Sequence, residues 1–301
     1  MRTQVVEKSF MVIGTMCFIL LLTIISYYGN PITDESFPSA IALRFIQGQK
    51  PFIDDYSPFI PIGLFLLPLV KLSLLLHHGK NELILFMRHS FIVFQFGLAL
   101  YAFINIKKYL PTILAFGCAA LIFIYHPFGL NSFHYDTLCT GLWSVIAFQS
   151  INLITQKPSL YSYVLYSCLG MVLCFAYPTF SIYLVFFYTL IYCSIKEKKV
   201  FLLSNSIVIL FTASMLAITL FYGYGIRHSD IVHGFQAGKP IFSVYAHHSI
   251  LNKSIALFQN LTPPYFDYVL ISICTLLIGK FFLKKKSTLF ILLSGLFLFP
   301  L

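Results

Sequence analysis

The chain has 301 residues, of which 58% are hydrophobic, 18% are aromatic and only 10% are charged. The few polar residues could not cover the surface of a soluble globular protein. The composition therefore excludes a soluble protein and indicates a membrane protein. The formal net charge of +10 does not indicate nucleic-acid binding, because the lysines and arginines form short clusters between apolar runs, where they set membrane topology.

Several apolar runs have the length of roughly 20 residues that a helix needs to cross a bilayer. No segment shows the alternation of apolar and polar residues that is typical of barrel strands. The sequence therefore predicts an all-α, polytopic transmembrane helical bundle with a long first external loop that carries interfacial helices. We expect residues 1–301 to form a single membrane domain of about 8–9 transmembrane helices. The seven cysteines lie in or beside apolar runs without CxxC spacing, which is typical of packing residues.

The first predicted helix covers residues 9–28 and follows Arg2 and Lys8. Basic residues before an apolar run resemble a signal sequence, but this run ends in SYYGNP, which lacks a small-residue cleavage site. We therefore expect an uncleaved first helix with a cytoplasmic N-terminus, in a multi-pass protein of the plasma (inner) membrane.

Residues 58–77 decide the orientation of every later segment. If they stay outside, the lysine clusters at residues 107–108, 196–199 and 280–286 are cytoplasmic and obey the positive-inside rule; if they cross, these clusters face outward. The prolines of this segment also make it a poor straight helix. We therefore expect it to lie at the outer interface, within a first external loop over residues 29–87.

The later apolar runs predict further membrane helices and a second external loop over residues 225–266. The predicted helices cover residues 87–106, 109–130, 137–153, 160–177, 181–195, 200–224 and 268–283. A last apolar run begins at residue 287 and stops at residue 301. This abrupt stop favours a chain that is cut short within a larger architecture, and a short final helix is the alternative.

This orientation places all nine histidines and eight of the ten acidic residues outside. Long polar loops explain part of the bias, and we assign the rest to a functional site at the outer face. The densest acidic group lies in residues 30–61 and consists of Asp34, Glu35, Asp54 and Asp55. The alternative is a solvated loop between two membrane helices, where acids occur because they cannot lie in lipid.

Asp34 and Glu35 follow the first helix and precede SFPSAIALRFIQGQ. The apolar spacing of this segment predicts a helix in the membrane interface with Arg44 toward the headgroups. A carboxylate at the membrane surface can act as a general base toward a hydroxyl, because desolvation and nearby charge tune its pKa. Asp34 is therefore the candidate base, and Glu35 is a candidate for orienting it or binding a cation.

The order of these features resembles a known family. The chain has an acidic pair after its first helix, an amphipathic helix that ends at Gly48, the segment KPFIDDYSP, and Met87-Arg88 at the start of the next span. This order is similar to that of the GT-C superfamily of lipid-linked-sugar glycosyltransferases, in the branch of protein O-mannosyltransferases and aminoarabinose transferases. The resemblance covers residues 9–188. The chain departs from the family pattern because it lacks the later helices and the large C-terminal soluble domain.

The resemblance implies an enzyme that moves a sugar from a polyprenyl-phosphate-linked donor to an acceptor on the non-cytoplasmic side, with inversion by direct displacement. It implies that Asp34 is the catalytic base or a cation ligand, with Glu35 beside it. It places a further acid, Asp136, at the outer end of the third helix, and it implies that Arg88 contacts the donor phosphate. The expected partners are membrane lipid and the lipid-linked donor.

A polyprenyl-phosphate leaving group needs cationic partners near the headgroups. The substrate-binding candidates are the external charged residues Arg44, Lys50, Asp54, Asp55, Arg88, Asp136 and Arg227. Each basic residue alone also fits a role in which it snorkels to the headgroups. Asp34 and Asp136 would suit Mg²⁺ or Mn²⁺, so a divalent cation is the candidate cofactor.

Two other functions stay open. A transporter or flippase of a lipid-linked saccharide would use the same acids and arginines without chemistry, although the internal repeat typical of transporters is not found in the sequence. An inactive, truncated relative that serves as a partner subunit is the other hypothesis. Walker, dinucleotide-binding and nucleophile-elbow motifs do not occur, so nucleotide-driven transport, redox chemistry and serine hydrolysis have no support.

Overall fold

The computed structural model describes residues 2–28, 35–57, 59–77, 82–125, 132–155, 158–177 and 180–246. The regular secondary structure in these ranges is helical and they contain no strand, so the all-α prediction is confirmed for them. Five of the described helices are long and apolar enough to cross a membrane, as expected for a multi-pass membrane protein. The chain divides into two compact units, Met1–Gly234 and Phe235–Leu301, and the candidate site lies in the first.

The helices are numbered in chain order. They are α1 (Arg2–Tyr27), α2 (Phe37–Ile46), α3 (Ile60–His77), α4 (Leu83–Ile106), α5 (Thr112–Ile124), α6 (Tyr135–Thr155), α7 (Leu160–Ala176), α8 (Phe180–Ser194), α9 (Lys198–Ala217) and α10 (His228–Ala246). A π-helical turn, Ile218–Gly223, continues α9. The five candidate spans lie in α1, α3, α4, α6 and the helix formed by α9 with its π-helical turn.

Two differences from the predicted helices have local causes. The helix predicted over residues 109–130 is shorter, because Pro111 lies directly before α5 and Tyr125 leaves helical geometry with a ψ of 115°. The segment predicted as a second external loop contains α10, whose mixed polar and apolar sequence gives no long apolar run. The backbone N–H of Arg227 donates to the carboxylate of Asp230 at 2.7 Å, which satisfies a donor at the start of α10.

The helices α2 and α3 pack closely against each other. On α2, Ile41, Ala42 and Phe45 are buried, and they face buried residues of α3. Gly63 makes this approach possible, because a Cβ atom at this position would lie 2.3 Å from Cγ2 of Ile41. Gly48, with a φ of 99°, ends α2 in the left-handed conformation that glycine adopts without strain. The packing of α2 against α3 therefore depends on Gly63 at the contact and on Gly48 in the turn that ends α2.

Gly63→Ala is expected to destabilise the α2–α3 packing by about 1–3 kcal/mol, because the added methyl group must displace Ile41. The matched control is Gly97→Ala in α4, where no heavy atom lies within 4 Å of the position of a Cβ atom. This control should be neutral or stabilising by up to about 1 kcal/mol, since alanine favours a helix over glycine. The free energy of unfolding, measured by titration with SDS from mixed micelles, tests both. Equal stability of the two variants would contradict the close packing at Gly63.

Apolar side chains cover both the interior and much of the outer surface of the bundle. A buried cluster of Leu22, Ile92, Ala99 and Phe123 joins α1, α4 and α5. Large apolar side chains on α1 and α9 are exposed, and they include Phe10, Met16, Leu20, Leu203, Leu210 and Phe211. Lipid is as apolar as these side chains, so a bilayer accommodates such a surface whereas water does not.

A polar network joins α4 and α6 where both helices end. The amide of Asn152 donates to Oδ1 of Asn105 at 2.7 Å, and the hydroxyl of Tyr109 donates to Oδ1 of Asn152 at 2.9 Å. The hydroxyl of Tyr101 donates to the amide oxygen of Gln149. Because buried polar groups need partners, these bonds fix how α4 and α6 align along their lengths. The candidate site lies where the same two helices begin.

Candidate functional site

A buried ion pair joins Glu35, two residues before α2, to Arg88 in the second turn of α4. Nε and Nη2 of Arg88 donate to the two carboxylate oxygens of Glu35, each at 2.7 Å. Nη1 of Arg88 donates to the backbone carbonyl oxygen of Ser26 at 2.6 Å. The side chains of Arg88 and Glu35 are 8% and 4% exposed. This bidentate geometry is the strongest form of a charged hydrogen bond, so the Glu35–Arg88 pair holds the end of α1, Glu35 and α4 together.

The pairing bears directly on the roles expected for these two residues. Both oxygens of Glu35 accept hydrogen bonds from Arg88, so the carboxylate is held as a charged partner rather than presented to a substrate hydroxyl. Likewise, the charge of Arg88 is matched by Glu35, whereas the sequence hypothesis assigned Arg88 to a donor phosphate. The two residues are 53 positions apart in the chain, so no sequence spacing could reveal their contact.

The segment before α6 packs against the Glu35–Arg88 pair. The hydroxyl of Ser132 donates to the backbone carbonyl oxygen of Glu35 at 3.4 Å. The ring of Phe133 packs edge-on against Phe91 of α4, with ring centroids 5.4 Å apart. Thr137 of α6 secures this segment, because its hydroxyl lies 2.6 Å from the carbonyl oxygen of Ser132. The first loop and the start of α6 are therefore neighbours in the fold.

His134 and Asp136 form a second polar pair at the start of α6. Nδ1 of His134 lies 3.3 Å from Oδ2 of Asp136, and the Asp136 side chain is 29% exposed. Nε2 of His134 is buried and has no hydrogen-bond partner among the described residues. Sequence reasoning placed Asp136 here but did not single out His134. The only signal was a histidine two residues before an acid at a predicted helix start, and that pattern alone is weak.

Three aromatic rings stack beside these polar groups. Tyr135 stacks on Phe59 with ring centroids 4.8 Å apart and planes inclined by 19°. Its other neighbour is Tyr177, at 5.4 Å and 22°. The stack brings together the segment before α3, the start of α6 and the residue after α7. It closes this end of the bundle with rigid, apolar surface next to the two polar pairs.

Four predicted substrate-binding residues lie at the end of α2 or in the turn after it. Nη2 of Arg44 lies 3.2 Å from Oδ2 of Asp55, whose side chain is 5% exposed. The other oxygen of Asp55 accepts the backbone N–H of Ser57 at 2.7 Å, and Asp54 accepts the backbone N–H of Lys50 at 2.7 Å. The carboxylates of Asp54 and Asp55 are thus used internally, while the side chain of Lys50 is exposed.

The remaining predicted site residues are Arg227 and Asp34. Arg227 lies directly before α10 with an exposed side chain, and its backbone N–H is bonded to Asp230. Asp34 lies outside the described residues. Within the described ranges, no three histidine, cysteine or acidic side chains converge as metal ligands. Of the two predicted metal ligands, Asp136 contacts His134, and Asp34 is the one outside these ranges.

Comparison with known proteins identifies no relative of this chain. No protein-family model, no curated protein and no solved structure matches the chain. The resemblance to the GT-C superfamily therefore rests on the order of the sequence features alone.

Proposed function

We propose that the chain is a membrane glycosyltransferase of the GT-C type, which moves a sugar from a polyprenyl-phosphate-linked donor to an acceptor hydroxyl on the non-cytoplasmic side. One observation carries the proposal: Glu35 of the acidic pair, Arg88 and the Ser132–Asp136 segment meet at one end of an apolar helical bundle. These are the segments to which the resemblance assigns the donor and acceptor chemistry.

The proposed topology keeps residues 29–87 on the outer side, with α2 and α3 at the interface. Two facts support it. The lysine clusters after α4 and at the start of α9 then face the cytoplasm, as the positive-inside rule requires. In addition, Pro68 lies inside α3, which disfavours a straight spanning helix, although α3 has the length and hydropathy of a span. The Glu35–Arg88 pair and Asp136 would then lie at the outer face.

The proposed reaction is a direct displacement. Asp34 accepts the proton of the acceptor hydroxyl as the oxygen bonds to the anomeric carbon of the sugar. The bond between this carbon and the phosphate oxygen breaks, and the electron pair leaves with the polyprenyl phosphate. Glu35, the residue after Asp34 in the chain, is held by Arg88.

The donor phosphate needs a cation that is not already paired. Because Glu35 matches the charge of Arg88, the exposed side chains of Lys50 and Arg227 are the better candidates.

Reconstitution tests this function against the transporter hypothesis. The purified chain would be placed in liposomes with radiolabelled polyprenyl-phosphate sugars, and with membrane lipid extract or serine- and threonine-containing peptides as acceptors. Transfer of label to an acceptor, without nucleotide, supports the proposal. Movement of intact donor across the bilayer without transfer supports a flippase. If neither occurs with any donor, the proposed function is wrong and the chain fits an inactive subunit.

A further inference from the structure

The end of α1 and the start of α4 lie at the same end of the bundle. Nη1 of Arg88, in the second turn of α4, donates to the carbonyl oxygen of Ser26, near the end of α1, at 2.6 Å. Further along the two helices, Leu22 and Ile92 belong to one buried cluster. The helices α1 and α4 therefore run side by side in opposite directions. We call the bundle end that holds Ser26 and Arg88 the site face.

The helix α6 begins at the site face as well. Phe133, two residues before α6, packs against Phe91 in the third turn of α4, with ring centroids 5.4 Å apart. Near the other ends of the two helices, the amide of Asn152 donates to Oδ1 of Asn105 at 2.7 Å. Contacts of start with start and end with end mean that α4 and α6 run in the same direction.

Both ends of α3 contact the site face. Phe59, directly before α3, stacks on Tyr135, the first residue of α6, with ring centroids 4.8 Å apart. At the other end, Nδ1 of His77 lies 2.8 Å from Oε2 of Glu82, directly before α4, and the His77 ring lies 5.7 Å from that of Phe86. A helix that crosses a bilayer has its ends at opposite faces, whereas α3 begins beside the start of α6 and ends beside the start of α4.

One side of α3 is packed inside the protein and the opposite side is exposed. The exposed side carries Lys71, Leu72, Leu75 and Leu76. At 3.6 residues per turn, these four side chains lie within an arc of about 140°. The three leucines are 46%, 72% and 59% exposed. A continuous apolar surface of this kind is accommodated by lipid and not by water.

Lys71 is the single lysine, arginine or acidic residue within α3. It forms no ion pair with any residue that the structure describes. In a crossing helix, its Cα would lie roughly 9 Å inside the bilayer from the end of α3, where a lysine is unfavourable. In a helix at the membrane surface, the stem of the lysine can lie along apolar chains while the ammonium group reaches the headgroups.

We propose that α3 lies in the leaflet at the site face without crossing the bilayer, and that its exposed side binds the anionic phospholipids of that leaflet. Leu72, Leu75 and Leu76 contact the acyl chains, and the ammonium group of Lys71 contacts the phosphate headgroups, whose charge is complementary. The proposal rests on the contacts at the two ends of α3 and not on sugar transfer. Failure of the proposed enzymatic activity would therefore leave it standing.

Two tryptophan variants test whether α3 crosses. Leu72→Trp and Leu76→Trp place the new ring on the same side of α3, at positions roughly 6 Å apart along its axis. Each variant is reconstituted in phosphatidylcholine vesicles whose acyl chains carry bromine at a shallow or a deep position. The signal of Trp143, the single native tryptophan, is subtracted with the wild-type chain as reference. Bromine should quench both new rings, and both should lie at the same depth.

Two results would overturn the proposal. A crossing α3 would place the ring at position 72 roughly 6 Å deeper than the ring at position 76, because position 76 is closer to the helix end. Absence of quenching at both positions would show that protein, such as a second copy of the chain, covers this side of α3 in place of lipid.

Lys71→Gln, made in Leu72→Trp protein, tests the headgroup contact. In mixed vesicles, either the phosphatidylglycerol or the phosphatidylcholine carries the bromine, and the ratio of the two quenching efficiencies gives the local preference for anionic lipid. Lys71→Gln should lower this preference about fivefold, the effect of one lysine near an anionic surface. The control is Lys199→Gln, which changes an exposed lysine in α9 and should leave the preference unchanged. No loss in Lys71→Gln, or an equal loss in the control, would overturn the contact.

Discussion

Asp34→Asn is expected to lower the rate of sugar transfer by about 10² to 10⁴-fold, the usual contribution of a general base. The substitution keeps the shape of the side chain but removes the oxygen that accepts the hydroxyl proton. Binding of the polyprenyl-phosphate sugar should change little, because the proton moves only in the transition state. Single-turnover transfer and equilibrium binding of a radiolabelled donor, measured at equal amounts of folded protein, check both parts of the expectation.

The same substitution at another acid provides the control. Asp230→Asn changes a carboxylate in the first turn of α10 that accepts the backbone N–H of Arg227, and the amide oxygen of asparagine can accept the same bond. Its transfer rate should match that of the wild type. Equal transfer by Asp34→Asn and the wild type would show that Asp34 is not the base. A parallel loss of donor binding in Asp34→Asn would indicate that the carboxylate binds substrate without catalysing its reaction, as in a transporter.

Glu35→Gln is expected to destabilise the fold by about 3–5 kcal/mol, because it leaves the buried guanidinium of Arg88 without a matching charge. The cost arises from the unpaired charge rather than from the lost bond alone, since Arg88 is only 8% exposed. Titration with SDS from mixed micelles measures the free energy of unfolding. A transfer rate that is nearly normal for each folded molecule would further separate Glu35, as a structural partner, from Asp34 as the base.

An exposed contact between a carboxylate and a histidine, together with a double-mutant cycle, completes this test. Glu82 pairs with His77 at 2.8 Å, but its side chain is 62% exposed. Glu82→Gln should therefore cost about 0–1 kcal/mol. In the cycle, Arg88→Gln combined with Glu35→Gln should cost less than the sum of the two single changes, by about 0.5–3 kcal/mol. Equal effects of Glu35→Gln and Glu82→Gln, or strict additivity at the buried pair, would contradict the contact.

The membrane-protein class and the main helices of this protein follow from local sequence. Apolar runs alone predicted α1, α4, α6 and α9, because a residue's preference for lipid is a property of its own side chain. The same rule missed α10, whose residues are mixed in polarity and whose start depends on a single carboxylate cap. The sequence also pointed to the acidic loop, because charge is rare in this chain and its position is therefore informative, and the resemblance pointed to Asp136.

Tertiary structure decided how those charged residues are used. The sequence predicted separate roles for Glu35 and Arg88, yet packing of α1 against α4 makes them partners. It predicted substrate contacts for Asp54 and Asp55, yet the short turn after α2 uses both carboxylates to satisfy nearby donors. His134 gained interest only when burial and an unpartnered nitrogen could be seen. The physical reason is that hydropathy is a property of each residue by itself. The hydrogen-bond partner of a buried polar atom depends instead on which distant segments the packed helices bring within about 3 Å of that atom.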